Sequence, residues 1–249
     1  MSIDFHHKKN RFSYATRPAN KSWTEAIETL VPIENINKAL DVGCGGGIYS
    51  KALADMGVGS VTGLDFSKAS LEGARENCKE YNNISFEHGN AFDTGLDGNS
   101  FDLVLERALI HHIKDLQACF KEAYRMLRNN GFYIIQDRTP EDCLLGGNDN
   151  HIRGYFFELF PRLVEKETNR RYHSQFVIKT LKTAGFKNIE EVKLWEIRRV
   201  YENKEQLLKD LGERTGRSIL HELDDKELKL LLDYLDESIS TDHNIVEKD

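Results

Sequence analysis

Residues 41–47 read Asp-Val-Gly-Cys-Gly-Gly-Gly and sit between a strand-like run and a segment with helical spacing. Glycines at such a junction let the main chain turn sharply and let a ligand approach with no Cβ in the way. The helix that follows presents unpaired N–H groups and a positive dipole end, which suits a carboxylate or a phosphate. Without a ligand, the same residues make a plain tight turn. The dinucleotide pattern Gly-x-Gly-x-x-Gly fails, because Gly43 and Gly45 fit but Ile48 takes the third position. A phosphate loop fails as well, since Ile48 and Tyr49 follow Gly47 where Lys and Ser or Thr are needed. Asp65 ends the next apolar run, 22 residues after Gly43. A carboxylate there can accept both ribose hydroxyls of an adenosine moiety. Its alternative role is to cap the next helix, but Ser67 can take the cap and leave Asp65 to a ligand.

Other residues carry further chemistry. His111 and His112 are candidate general bases, since imidazole titrates near neutral pH. Their plainer role is that one begins a helix and the other packs. The His and Cys positions lack metal-ligand spacing, so no metal is expected. Arg138 follows the fifth strand and should point toward the site, with Arg153, Tyr155 and Phe156 in the segment beyond it. Arginine binds carboxylates through paired hydrogen bonds, and an aromatic run can shield a flat or apolar acceptor. This favours a small or medium acceptor with an acidic group. The alternative is that the aromatics form a local core and that Arg170 and Arg171 are solvated.

The elements that must position these residues follow one order. Helical spacing over 22–31 stops at Pro32. Strands are expected at 38–43, 60–65, 84–87, 102–106 and 131–137, with helices at 48–56, 68–81 and from the fourth strand through Leu127. Strands alternating with helices mean βαβ units and a parallel sheet with both faces covered. In such sheets ligands bind beyond the carboxyl ends of the strands. After Asp137 the regularity lapses. A helix over 174–184 ends at Gly185, an alternating sixth strand is expected over 188–197, and two amphipathic helices over 203–239.

The 249 residues bound the chain to one large domain or two small ones. Lys and Arg total 34 against 41 Asp and Glu, a net charge of −7, which opposes general nucleic-acid binding. No apolar run approaches the roughly 20 residues of a membrane helix, and the polar N-terminus lacks a signal-type segment. Cys44, Cys78, Cys119 and Cys143 are widely spaced, which suits a reducing cytosol. A soluble cytoplasmic protein without membrane or nucleic-acid partners is therefore expected.

The ordered motifs resemble those of class I S-adenosylmethionine-dependent methyltransferases, most closely the type 11 small-molecule branch. The glycine turn and 63–67 (Gly-Leu-Asp-Phe-Ser) are similar to its first two motifs. Gly89-Asn90-Ala91, the 101–106 strand with 108–113 behind it, Arg125-Met126-Leu127-Arg128 and Tyr14-Ala15-Thr16-Arg17-Pro18 agree with later and N-terminal elements. The resemblance implies a Rossmann-like, doubly wound, mostly parallel α/β sheet with an N-terminal helical cap and a helical, aromatic lid. It implies a single domain over 1–249, with a cap at 11–31, a cofactor core at 36–137, a lid at 138–173 and a helical cover at 203–239. The cofactor would be S-adenosyl-L-methionine, released as S-adenosyl-L-homocysteine after direct in-line transfer.

By the same resemblance Asp65 takes the ribose hydroxyls, Phe66 lies on the adenine, and Asn90 and Ala91 flank it. Gly43, Cys44 and Gly45 approach the methionine part, Glu106 and Arg107 line its end, and Tyr14 and Arg17 reach its carboxylate. Because double histidines recur in this branch across varied substrates, a structural or cofactor-shell role is favoured for His111 and His112. Alternatives are methylation of a carrier-bound acyl carboxylate or a quinone ring, and a non-catalytic sensor of S-adenosylmethionine. Ile48 argues against an oxidoreductase. No Asn/Asp-Pro-Pro-Tyr/Phe signature follows the fourth strand, which disfavours base methylation. The antiparallel seventh strand usual in the family is in doubt, since 240–249 hold only the apolar pair Ile245 and Val246.

Overall fold

The computed structural model describes residues 17–248. In chain order the elements are α1 (Lys21–Leu30), β1 (Lys38–Val42), α2 (Ile48–Asp55), β2 (Ser60–Asp65), α3 (Lys68–Asn77), β3 (Ile84–His88), β4 (Phe101–Arg107), α4 (Leu116–Met126) and β5 (Leu127–Gln136). Then come α5 (Pro140–Cys143), α6 (Ile152–Leu159), α7 (Arg162–Thr168), α8 (Ser174–Ala184), β6 (Ile197–Asn203), α9 (Lys204–Gly212), α10 (Asp225–Ser238) and β7 (His243–Lys248). The described residues fall into two compact units, one over 17–138 and 172–193, the other over 139–171 and 194–248.

The first unit is a parallel sheet in the order β3-β2-β1-β4-β5. Its middle strands are buried on both faces, so they read as apolar runs rather than alternations; Ala39, Leu40, Leu103 and Val104 are all fully buried. One face packs Leu40, Val104, Phe120, Met126 and Leu181 into a shared core. Strand order reverses between β1 and β4, and this switch point is where a doubly wound sheet opens a crevice. Ser67 caps α3 by accepting the Ser70 N–H, as expected from the sequence. Gly185, with φ 113°, ends α8 in the left-handed conformation that favours glycine.

The second unit has its own apolar core, including Ile152, Phe156, Leu163, Leu211, Leu231 and Ile245. The segments expected as a lid and as a helical cover on a single domain thus share one core and form a separate unit. The expected strand over 188–197 is displaced. Val192 is exposed, residues 188–196 pair with nothing in a sheet, and β6 begins only at Ile197. It pairs antiparallel with β7 as a two-stranded sheet. Ile245 and Val246 therefore belong to a strand, but to one outside the parallel sheet. The pair is held by buried ions: Arg217 donates to Asp210 (2.8 Å), to Glu247 (2.7 Å) and to the Tyr201 hydroxyl (2.8 Å). No helix among the described residues is long and apolar enough to cross a membrane.

Candidate cofactor and acceptor site

The glycine turn runs from the tip of β1 into α2. Gly43, Gly45 and Gly47 adopt φ of 72°, 53° and 77°, which explains their spacing. The Gly43 and Cys44 N–H groups both donate to the Leu64 carbonyl, at 2.7 and 3.1 Å. A Cβ on Gly43 would stand 2.8 Å from Leu109 Cδ1. Gly43→Ala is accordingly expected to lose about 1–2 kcal/mol from left-handed backbone strain alone, read as a fall in thermal midpoint; an unchanged midpoint would refute this.

Asp65 ties the turn to the neighbouring strand. Its Oδ2 accepts the Gly45 N–H (2.9 Å) and its Oδ1 accepts the Ser67 N–H (2.8 Å). Asn77, which sequence reasoning passed over, donates from α3 to the Gly46 carbonyl at 2.8 Å. Beneath the turn, Ser50 Oγ donates to Asp41 Oδ2 at 2.6 Å, while burial raises the Asp41 carboxyl to about 6.

Two half-exposed rings flank this region in sequence: Phe66 after β2 and Phe92 after β3, at 47% and 49% exposure. Asn90 spends its carbonyl oxygen on the Phe92 and Asp93 N–H groups. The Ala91 methyl is committed to the core, so only its main chain can meet a ligand. The Cys44 sulfur likewise turns inward, 3.0 Å from where a Gly63 side chain would begin.

Where β4 ends, the Arg107 guanidinium lies 4.1 Å over the Tyr49 ring. Arg17 donates to the Tyr49 hydroxyl at 3.0 Å, and Trp23 meets the same ring edge-on. Two cations thus converge on one aromatic at the start of α2. Tyr49 entered the sequence reading only as a mismatch to a phosphate loop. Tyr14 lies outside the described residues.

Glu106 corrects an expectation. It does not line the ligand end of β4; it is 1% exposed, and the Cys119 thiol donates to it at 3.3 Å. Alternation along the strand sends its side chain into the core, one residue before the outward Arg107. Burial raises its carboxyl to about 7, outweighing the neighbouring Tyr133 hydroxyl and Cys119 thiol.

His111 lies on the single 3-10 turn Ile110–His112 that follows β4. Its Nδ1 is 2.7 Å from Asp137 Oδ2, and its main-chain N–H donates to the same oxygen at 3.2 Å. The His112 ring stands 4.0 Å away, tilted. Asp137 was read only as the end of a strand, although the reasoning that singled out Asp65, an acid at a strand tip, applies to it equally. Arg138 follows, its N–H bonded to Asp137 Oδ1.

The other expected acceptor residues lie in the second unit. Phe156 is fully buried in that unit's core, four residues from Ile152 on one face of α6, and lines no ligand surface. Tyr155 packs edge-on against Tyr234. Arg153 is buried, and so is Arg171, which with Arg170 pairs with the fully buried Glu167 rather than standing in solvent.

Residues 40–135 match the family described as "Methyltransferase domain". A demethylmenaquinone methyltransferase of Staphylococcus epidermidis is 32% identical over 122 residues, covering 48% of this chain and 51% of that protein. The chain thus spans about half the length of this curated relative. A crystal structure described as a methyltransferase from an antibiotic biosynthesis pathway of Anabaena variabilis superposes with a TM-score of 0.73 at 19% identity, covering 90% of this chain and 87% of the other. The phosphoethanolamine N-methyltransferase 2 of Haemonchus contortus, in complex with S-adenosyl-L-methionine, gives 0.60 at 21% identity, covering 99% and 60%. Residues 40–135 thus match a methyltransferase domain, and the sheet that carries them has the fold of these solved structures.

Proposed function

We propose that this chain transfers the methyl group of S-adenosyl-L-methionine directly, in line, to a small or medium-sized acceptor. The observation that carries the reading is Asp65, whose two oxygens clasp both strand-tip turns. A carboxylate accepts several hydrogen bonds at once, as a pair of ribose hydroxyls would require. The half-exposed faces of Phe66 and Phe92 suit an adenine, and the cations Arg17 and Arg107 at Tyr49 suit an amino-acid carboxylate. The bound cofactor supplies an electrophilic methyl on a sulfonium. The chain's part is to hold donor and acceptor in line and to keep water out.

Calorimetric titration with S-adenosylmethionine and with S-adenosylhomocysteine tests the reading, followed by labelled methyl transfer into a metabolite extract. Saturable heat and a labelled product are expected; the absence of heat with both ligands would overturn it. Heat without any labelled product would instead favour a sensor. Asp65→Ala is expected to weaken binding about 10- to 100-fold, since bonds to a charged group contribute about 1.5–3 kcal/mol. Unchanged affinity would remove Asp65 from the ribose site. A quinone ring is the second reading for the acceptor, supported by the name of the S. epidermidis relative.

A further inference from the structure

We propose that the second unit holds an oxyanion site built on Arg170, which takes the carboxylate or phosphate group of a small acidic molecule. Its frame is local. Arg170 and Arg171 follow Glu167 by three and four residues, so the turn of chain at the end of α7 brings both guanidiniums to that carboxylate. Glu167 is fully buried. Arg171 reaches its Oε1 from both Nε, at 3.2 Å, and Nη2, while Arg170 reaches its Oε2 from Nη2. The Cys143 thiol also donates to Oε1, at 3.8 Å.

The remaining donors of Arg170 point to a ligand. Its Nη1 donates to Ser218 Oγ at 3.3 Å, on the 3-10 turn Ser218–Glu222, which fixes the plane of the guanidinium. Its Nε–H is buried and meets no hydrogen-bond acceptor among the described residues. A buried donor without an acceptor is destabilising. A guanidinium presents its donors as a fixed fork, and a carboxylate or phosphate matches that fork with two oxygens. The local charge has the sign that such a group needs. Burial lowers the pKa of the Arg170 guanidinium; the Glu167 carboxylate opposes that, and the charges of Arg171 and Arg153 reinforce it. An added negative charge beside Arg170 relieves the repulsion from its two cationic neighbours. A neutral ligand would supply an acceptor for Nε but leave that repulsion in place.

Exposure separates the two adjacent arginines. The Arg170 side chain is 25% exposed and that of Arg171 is 1% exposed, so of the pair Arg170 is the one a solute can approach. Arg170 is also the one able to turn toward a ligand. When it swings, Glu167 keeps the two bonds from Arg171 and the Cys143 thiol, so no buried carboxylate is stranded. The same swing by Arg171 would remove both of its own bonds to Oε1.

The arginine Nε–Hε signals of the whole protein, followed by NMR, test the site. Potassium phosphate, sodium acetate or, as control, potassium chloride is added at constant ionic strength. A saturable shift of the Arg170 signal is expected with phosphate or acetate and not with chloride, and the oxyanion that saturates at lower concentration names the acid group. By calorimetry, Arg170→Gln is expected to bind that oxyanion about tenfold more weakly or worse. Arg170→Lys keeps the charge but loses the fork, and is expected to recover only part of the affinity. The same oxyanion should raise the thermal midpoint of the wild type and not of Arg170→Gln. No saturable shift with either oxyanion, an equal shift with chloride, or undiminished affinity in Arg170→Gln would overturn the site. No methyl donor enters these measurements, so their outcome leaves the methyltransferase reading untouched.

Discussion

Arg217→Met is expected to destabilise the protein by about 3–5 kcal/mol, the cost of breaking a buried ion pair by removing one partner. Arg217 is 1% exposed and its guanidinium faces Asp210, Glu247 and the Tyr201 hydroxyl. Methionine fills much the same volume but leaves Glu247 the Tyr201 hydroxyl and the more distant Arg198, at 3.8 Å, to offset its burial, while Asp210 keeps Arg199 at 2.7 Å. Burial alone would raise the Asp210 carboxyl, yet Arg217 beside it holds it below the usual 3.8. Asp210 therefore contributes stability above its unfolded pKa, and that contribution fades as pH falls through its lowered folded value. Urea denaturation followed by circular dichroism at neutral pH measures the loss. A change under about 1 kcal/mol, the range of exposed pairs, would show that water reaches the network.

Glu106→Gln is expected to act in the opposite direction. The folded protein holds this carboxyl at about 7, against 4.5 for the ordinary group, because burial penalises the charge. Between those values the native state binds the proton that the unfolded chain has released, so stability declines as pH rises across the window. Below about pH 4.5 the penalty is absent; at pH 8 it is nearly complete, roughly 3 kcal/mol for a shift of that size. Glutamine keeps the shape and cannot ionise. The variant should therefore match the wild type at pH 4 and exceed it clearly at pH 8 in thermal midpoint. Equal midpoints at pH 8 would mean that the native carboxyl ionises without cost. Asp41, raised to about 6 one strand away, adds a penalty of the same sign in both proteins and cancels in the comparison.

These two residues also mark where sequence reasoning reached and where it stopped. The parallel sheet was legible because its central strands are short apolar runs between glycines and helical segments, and burial on both faces writes that pattern directly into residue type. The β6–β7 pair was misplaced because its inward contacts are Tyr201 and Glu247, closed by Arg217 and Asp210 from elsewhere in the chain. A periodicity of apolar residues registers poorly a pair of strands whose buried side mixes Tyr201 and Ile245 with the charged Glu247. Glu106 was assigned to the ligand for a related reason. Its position at a strand tip is visible in sequence, but which of two successive side chains faces outward is set by the pairing register with β1 and β5.

What the sequence determined by itself is local: the glycine turn, the acid 22 residues beyond Gly43, the Ser67 cap, and the order of strands and helices that makes a doubly wound parallel sheet. These depend on φ preference, capping and short-range periodicity, which act between neighbours along the chain. Tertiary structure alone decided that Asp137 faces His111, that Tyr49 receives Arg17 and Arg107, and that the segments around 138–173 and 203–239 share one core. Those partners are 26, 32, 58 and more residues apart. Only the closing of the sheet and the packing of its loops bring them within hydrogen-bonding or van der Waals reach, and no spacing along the chain encodes that distance.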